Sequence, residues 1–182
     1  MKSNFTIPNM ISAFRILLIP IFVLLYFSNI EHCYFYAFIV IVLSSISDIA
    51  DGIIARKFNM ISDLGKVLDP IADKLTQLAL VLILCFKHPT LMPVFFVLFT
   101  KELLTAVAAA IWFKKGLKPI SAKWWGKVST ALLYASFMYY ILSDFWLFKN
   151  GIIDIIITAL VIVCLLFSMC GYIKTVLTNT KA

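Results

Sequence analysis

Near-continuous apolar runs divide this chain, and they leave it few ways to fold. They cover residues 11–27, 34–55, 64–86, 91–113, 126–147 and 152–176. Each is close to the roughly 17 to 25 residues that a helix needs to cross about 30 Å of hydrocarbon. The runs are too long for barrel strands of about 9 to 11 residues and lack their alternation. With 63% hydrophobic and only 14% charged residues, and a mean hydropathy of +1.01, the composition falls outside that of soluble globular domains. The sequence therefore predicts an all-α, polytopic membrane protein, a six-transmembrane-helix bundle.

Short connections rich in breakers or charge separate the runs, at 29–32, 57–63, 87–89, 114–123 and 149–151. None has the length of a domain linker, so the chain reads as a single membrane domain, 1–182. Lysine and arginine are retained on the cytoplasmic side of a membrane. Lys2, Arg15, Arg56, Lys57, Lys66, Lys114, Lys115, Lys118, Lys123, Lys127, Lys174 and Lys181 fall on one side, against Lys87 and Lys149 on the other. This split places both termini in the cytoplasm. The net charge of +7 edges the spans, which matches anionic headgroups and no nucleic acid. Cys33, Cys85, Cys164 and Cys170 lack metal-site spacing and read as apolar packing, with a Cys33–Cys85 disulfide conceivable on the outer side. No small-residue cleavage site precedes Glu31, so the first run is expected to stay as a span. Pro8 suits the opening of a short amphipathic helix, and Pro20 a kink in the first span. His32, His88 and Asp154 are expected at the outer side, away from the acids considered next, with Asp154 snorkelling to water or held by a helix contact.

Against this apolar background, four carboxylates stand at helical intervals: Asp48-x2-Asp51-Gly52-x2-Ala55-Arg56-x8-Gly65-x3-Asp69-x3-Asp73. One charge at the centre of a spanning helix costs about 2.5 to 3.5 kcal/mol, so four cost roughly 10 to 14 kcal/mol if left uncompensated. Asp48 and Asp51 share a helix face, as do Asp69 and Asp73, and the turn between their helices brings the pairs to similar depth. Oxygen-only donors without histidine or cysteine favour Mg²⁺ or Mn²⁺ over zinc, and four acids suit two ions. Gly52, Ala55 and Gly65 let a backbone or a ligand approach closely, and Arg56 offers a planar fork to a phosphate.

This spacing resembles the signature of the CDP-alcohol phosphatidyltransferase family, all eight residues of which are present. The resemblance implies six membrane helices with the signature at the cytoplasmic end of the second and the start of the third. It implies transfer of a phosphatidyl group from CDP-diacylglycerol to an alcohol, with CMP leaving. By the same resemblance, Asp48, Asp51, Asp69 and Asp73 hold two Mg²⁺ or Mn²⁺ ions, and Asp73 is the base. Asp48, Asp51, Gly52, Ala55, Arg56 and Gly65 form the CDP site. A homodimer in the bacterial cytoplasmic membrane, its site facing the cytoplasm, is the family expectation.

Residues 7–16 and 125–130 are similar to segments of the branch that uses glycerol 3-phosphate to make phosphatidylglycerophosphate. The second phosphate of that acceptor needs cations, for which Lys101, Lys118, Lys123 and Lys127 are the candidates. Where that branch carries Arg-Glu and a further arginine, this chain has Lys101-Glu102 and Ala109. The same segments resemble eukaryotic-type cardiolipin synthases, which use phosphatidylglycerol. Lys101 next to Glu102 also reads as a buried ion pair. A divalent cation transporter or channel, the reading from a different class, needs acids spaced along a path; here they gather at one end.

Overall fold

In the computed structural model, six α-helices and one short 3-10 turn follow in order: α1 (Ile7–Tyr26), α2 (Cys33–Lys57), α3 (Gly65–Cys85), the turn at Pro89–Leu91, α4 (Met92–Lys114), α5 (Trp124–Phe145) and α6 (Gly151–Asn179). The structure describes the backbone of residues 7–57, 65–114, 124–146 and 150–179, and the side chains of 10–47, 71–111, 124–146 and 150–175. Among these residues there is no strand. Each helix coincides with one apolar run, its ends displaced by a few residues. The short helix expected at Pro8 is instead the first turn of α1, where proline's missing N–H has no helical partner to lose.

The fold divides into two compact units, Met1–Ile83 with Tyr140–Phe148, and Leu84–Tyr139 with Lys149–Ala182. In the first, α1 and α2 pack as a hairpin. Leu18, Phe22 and Tyr26 recur every fourth residue on α1, as do Cys33, Ala37 and Ile41 on α2, and all are buried; that interval keeps each set on one helix face. The connection is tight. His32 adopts φ 61°, a left-handed conformation that histidine enters more readily than most side chains. Its carbonyl accepts from the amides of Phe35 (2.9 Å) and Tyr36 (3.2 Å), which starts α2.

Tyr26 closes the end of this unit at the α1–α2 connection. It stacks on Phe22 with centroids 5.4 Å apart and meets Tyr34 edge-on at 5.7 Å. Its hydroxyl donates to Asp144 Oδ2 at 2.6 Å, so the last turns of α5 are tied to α1 through a buried acid. The thiols of Cys33 and Cys85 are both free, and the bridge conceivable from sequence is not formed.

In the second unit α4 packs on α6. Leu91 of the 3-10 turn and Val94, Leu98 and Glu102 of α4 form one buried stripe, and Val161, Leu165 and Ser168 that of α6. The start of α5 lies close against α6: Ser129 Oγ is 2.9 Å from the carbonyl of Trp125 on its own helix and 2.9 Å from that of Cys164 on α6. Gly171 is required there, because a Cβ at that position would stand 2.8 Å from Trp125 Nε1. Tyr139 donates to Asp154 Oδ1 at 2.9 Å, so Asp154 is held by helix contact. His88, in the connection before the 3-10 turn, is buried.

Outward faces carry Leu17, Leu24, Phe96, Leu103, Ile155 and Val163, all exposed. So much apolar surface would aggregate in water and is at home in lipid. Among the described residues, Pro89–Ile111 and Gly151–Thr175 are long and apolar enough to cross a membrane, while Met10–Tyr26 and Cys33–Ser47 are shorter apolar stretches. The sequence predicts six spans, and the helix count agrees with it.

Tyr26→Phe removes the donor to Asp144 and little else. It should lower stability by about 1 to 2 kcal/mol, read as a lower melting temperature of the purified protein in detergent; an unchanged melting temperature would show that the Tyr26–Asp144 bond does not hold this end of the unit together.

Candidate active site

The signature falls on two helix segments of the first unit. Asp48 and Asp51 lie on the last turns of α2 and Asp69 and Asp73 on the first turns of α3, flanking residues 58–64. At 1.5 Å per residue, Asp51 is about 9 Å from the end of α2 and Asp69 about 6 Å from the start of α3. Gly52, Ala55 and Arg56 belong to the same final turns of α2, and Gly65 opens α3. The side chains of Asp48, Asp51, Ala55, Arg56 and Asp69 lie outside the described residues, as do Lys118 and Lys123 altogether.

Asp73 is the described carboxylate of the set. It is half-buried, and Gln77 Nε2 donates to its Oδ2 at 2.9 Å from one turn further along α3. Gln77 is itself buried, so the bond is sheltered from competing water and fixes the orientation of the acid. Sequence reasoning passed over Gln77, although its i+4 relation to Asp73 is the signal that could have found it.

Among the described residues, α1, α2 and α3 converge on a small open cleft. Arg15, Ser44 and Thr76 line it among apolar side chains including Leu18, Phe22 and Leu80. Thr76 donates to the carbonyl of Ala72 at 2.8 Å. Ser44 is one turn from Asp48, and Thr76 less than one turn from Asp73. Arg15, taken from sequence as one of the cytoplasmic flanking cations, is only 1% exposed. It lies two turns inside α1, within the first apolar run itself, which was the cue that it differs from a flanking charge.

The lysines proposed for the acceptor are placed differently. Lys101 makes an ion pair and hydrogen bond with Glu102, and Thr105 Oγ1 also donates to the Glu102 carbonyl at 2.9 Å. The buried ion pair read beside substrate binding is thus present. Lys127 is exposed on α5. Both lysines belong to the second unit, whereas the aspartates belong to the first.

The donor set fits a hard divalent ion. All four ligating candidates are carboxylates, which suit Mg²⁺ or Mn²⁺. The nearest histidine on the hairpin, His32, opens the opposite end of α2, about 24 Å along the helix axis from Asp48. Asp48, Asp51, Asp69 and Asp73 are the residues that would hold the ions.

The profile of the CDP-alcohol phosphatidyltransferase family matches residues 5–176. A CDP-diacylglycerol--glycerol-3-phosphate 3-phosphatidyltransferase of Rickettsia bellii is 39% identical over 87 residues, 48% of each chain. Another protein of that name, from Haemophilus influenzae, is 31% identical over 130 residues, 70% of each chain. A cardiolipin synthase (CMP-forming) of Streptomyces coelicolor is 33% identical over 142 residues, covering 76% of this chain and 66% of the relative. The chain spans about half the length of the Rickettsia relative it matches.

Gln77→Leu should weaken Mn²⁺ binding by roughly tenfold, the usual cost of losing a group that orients a ligand. Titration of the purified protein in the absence of substrate measures this, and an unaltered affinity would remove Gln77 from the site.

Proposed function

Since the chain belongs to the CDP-alcohol phosphatidyltransferase family, we propose that it transfers the phosphatidyl group of CDP-diacylglycerol to sn-glycerol 3-phosphate, giving phosphatidylglycerophosphate and CMP in phospholipid biosynthesis. The observation that carries this reading is the intact signature borne by adjoining ends of α2 and α3. The names of the Rickettsia and Haemophilus relatives support glycerol 3-phosphate as the acceptor.

The chemistry follows from the residues. An acceptor hydroxyl forms a bond to the phosphorus that carries the diacylglycerol, and the bond from that phosphorus to the CMP oxygen breaks. CMP departs with the electron pair. Asp73, oriented by Gln77, takes the hydroxyl proton. Asp48, Asp51 and Asp69 complete the carboxylate set, while Gly52, Ala55, Arg56 and Gly65 line the CDP site, where the Arg56 fork matches a phosphate. Two bound Mg²⁺ or Mn²⁺ ions would supply Lewis acidity at the phosphoryl oxygens and lower the pKa of the acceptor hydroxyl. Lys118, Lys123 and Lys127 are the cations for the second phosphate of the acceptor; Lys101 is engaged by Glu102.

A second reading has its own support. The Lys101–Glu102 pair removes one cation from the acceptor's phosphate, and the Streptomyces relative is named a cardiolipin synthase. Phosphatidylglycerol, whose acceptor end lacks a terminal phosphate, is the alternative acceptor. In either case the site faces the cytoplasm of a bacterial cell membrane, and the active species is a homodimer.

Asp73→Asn is expected to reduce CMP release from CDP-diacylglycerol at least a hundredfold while leaving folded protein in the membrane; undiminished turnover would sink the assignment. Chelation should abolish activity and Mg²⁺ or Mn²⁺ restore it, whereas full activity after rigorous metal removal would contradict the ligand set. Offered separately to one purified sample, glycerol 3-phosphate should give product and phosphatidylglycerol, inositol phosphate and serine should not. Product from phosphatidylglycerol alone would reverse the choice of acceptor.

A further inference from the structure

Arg15 is 1% exposed and lines the cleft that α1 shares with α2 and α3. A guanidinium remains charged at any pH a protein meets, so enclosing it among Leu18, Phe22 and Leu80 requires an anion within reach. Among the described residues of the first unit, the acids are few. Glu31 is exposed in the α1–α2 connection, and Asp144 is bound to Tyr26 at that same end, about 16 Å along α1 from Arg15. Asp73 is the third.

The polar lining of the cleft leads toward the signature. Ser44 precedes Asp48 by one turn on α2, and Thr76 follows Asp73 by three residues on α3. Asp73, three residues before the cleft-lining Thr76, is therefore the described acid on the side of the unit that Arg15 faces, and Arg15 comes from a helix that carries none of the signature.

We propose that Arg15 is a positioning residue, the resident counter-charge of the aspartate cluster: it holds the signature-bearing ends of α2 and α3 together before metal binds. The inference rests on the reading of those aspartates as metal ligands. It adds α1 to the site. A tethered cation lowers the repulsion among the acids, and for the same reason it opposes the arrival of a mobile one.

That opposition gives the test a sign which a packing role lacks. Mn²⁺ affinity of the purified full chain is titrated without substrate for the native sequence, Arg15→Lys and Arg15→Gln, with melting temperatures recorded with and without Mn²⁺. Arg15→Gln should melt lower without metal, bind Mn²⁺ about three- to tenfold more tightly, and gain more from it. Arg15→Lys, which keeps the charge, should stay within about twofold of the native affinity. An equal loss of melting temperature with and without Mn²⁺, at unchanged affinity, would overturn the proposal. So would a rise in the KM for CDP-diacylglycerol with Mn²⁺ affinity untouched, which would assign Arg15 to the substrate phosphate. If Arg15→Gln does not fold, Arg15→Gln/Asp73→Asn removes one cation and one anion together and should recover folded protein; its failure would count against the proposal. Absence of Mn²⁺ binding by the native chain would instead remove the metal reading beneath it.

Discussion

Charge held inside hydrocarbon is the constraint on which this structure turns. Four carboxylates at about 2.5 to 3.5 kcal/mol each amount to roughly 10 to 14 kcal/mol, comparable with the whole stability of a typical domain at about 5 to 15 kcal/mol. A bundle that leaves them uncompensated does not persist. Their concentration at adjoining ends of α2 and α3 means that one set of cations, as the proposed metal reading has it, would offset the entire cost, and the same cations would suit a phosphate-bearing substrate.

The other intramembrane acids show the ordinary solution. Asp144 accepts from Tyr26, Asp154 from Tyr139, and Glu102 is paired with Lys101. Each is met by a donor of the protein, which ties two helices together or satisfies a charge within one. These acids are structural by that criterion. The signature acids differ in being gathered on two helix ends. Asp73, among them, is oriented by the amide of Gln77 one turn further along α3.

Much of the fold was legible in the sequence because hydrocarbon imposes length and apolarity directly on the chain. The six runs became six helices, and the signature spacing located its acids at the ends of α2 and α3. What the sequence concealed depends on side-chain packing in three dimensions. Arg15 looked like one more cation on the cytoplasmic side, yet the approach of α2 and α3 to α1 encloses it. Gln77 was hidden by its ordinariness, and the burial of His88 depends on how a short 3-10 turn folds over. The acceptor lysines were least legible: one is already committed to Glu102, and the chemistry of a second phosphate leaves no spacing rule comparable with that of the aspartates.

The central claim is that the carboxylates at the ends of α2 and α3 are compensated by divalent metal. Electron paramagnetic resonance of the purified protein titrated with Mn²⁺ tests it most directly. The account predicts two bound ions per chain with a spin-coupled signal, as a shared set of four carboxylates requires, and loss of that coupling in Asp69→Asn. A chain that binds no Mn²⁺, or binds it identically after that substitution, would contradict it.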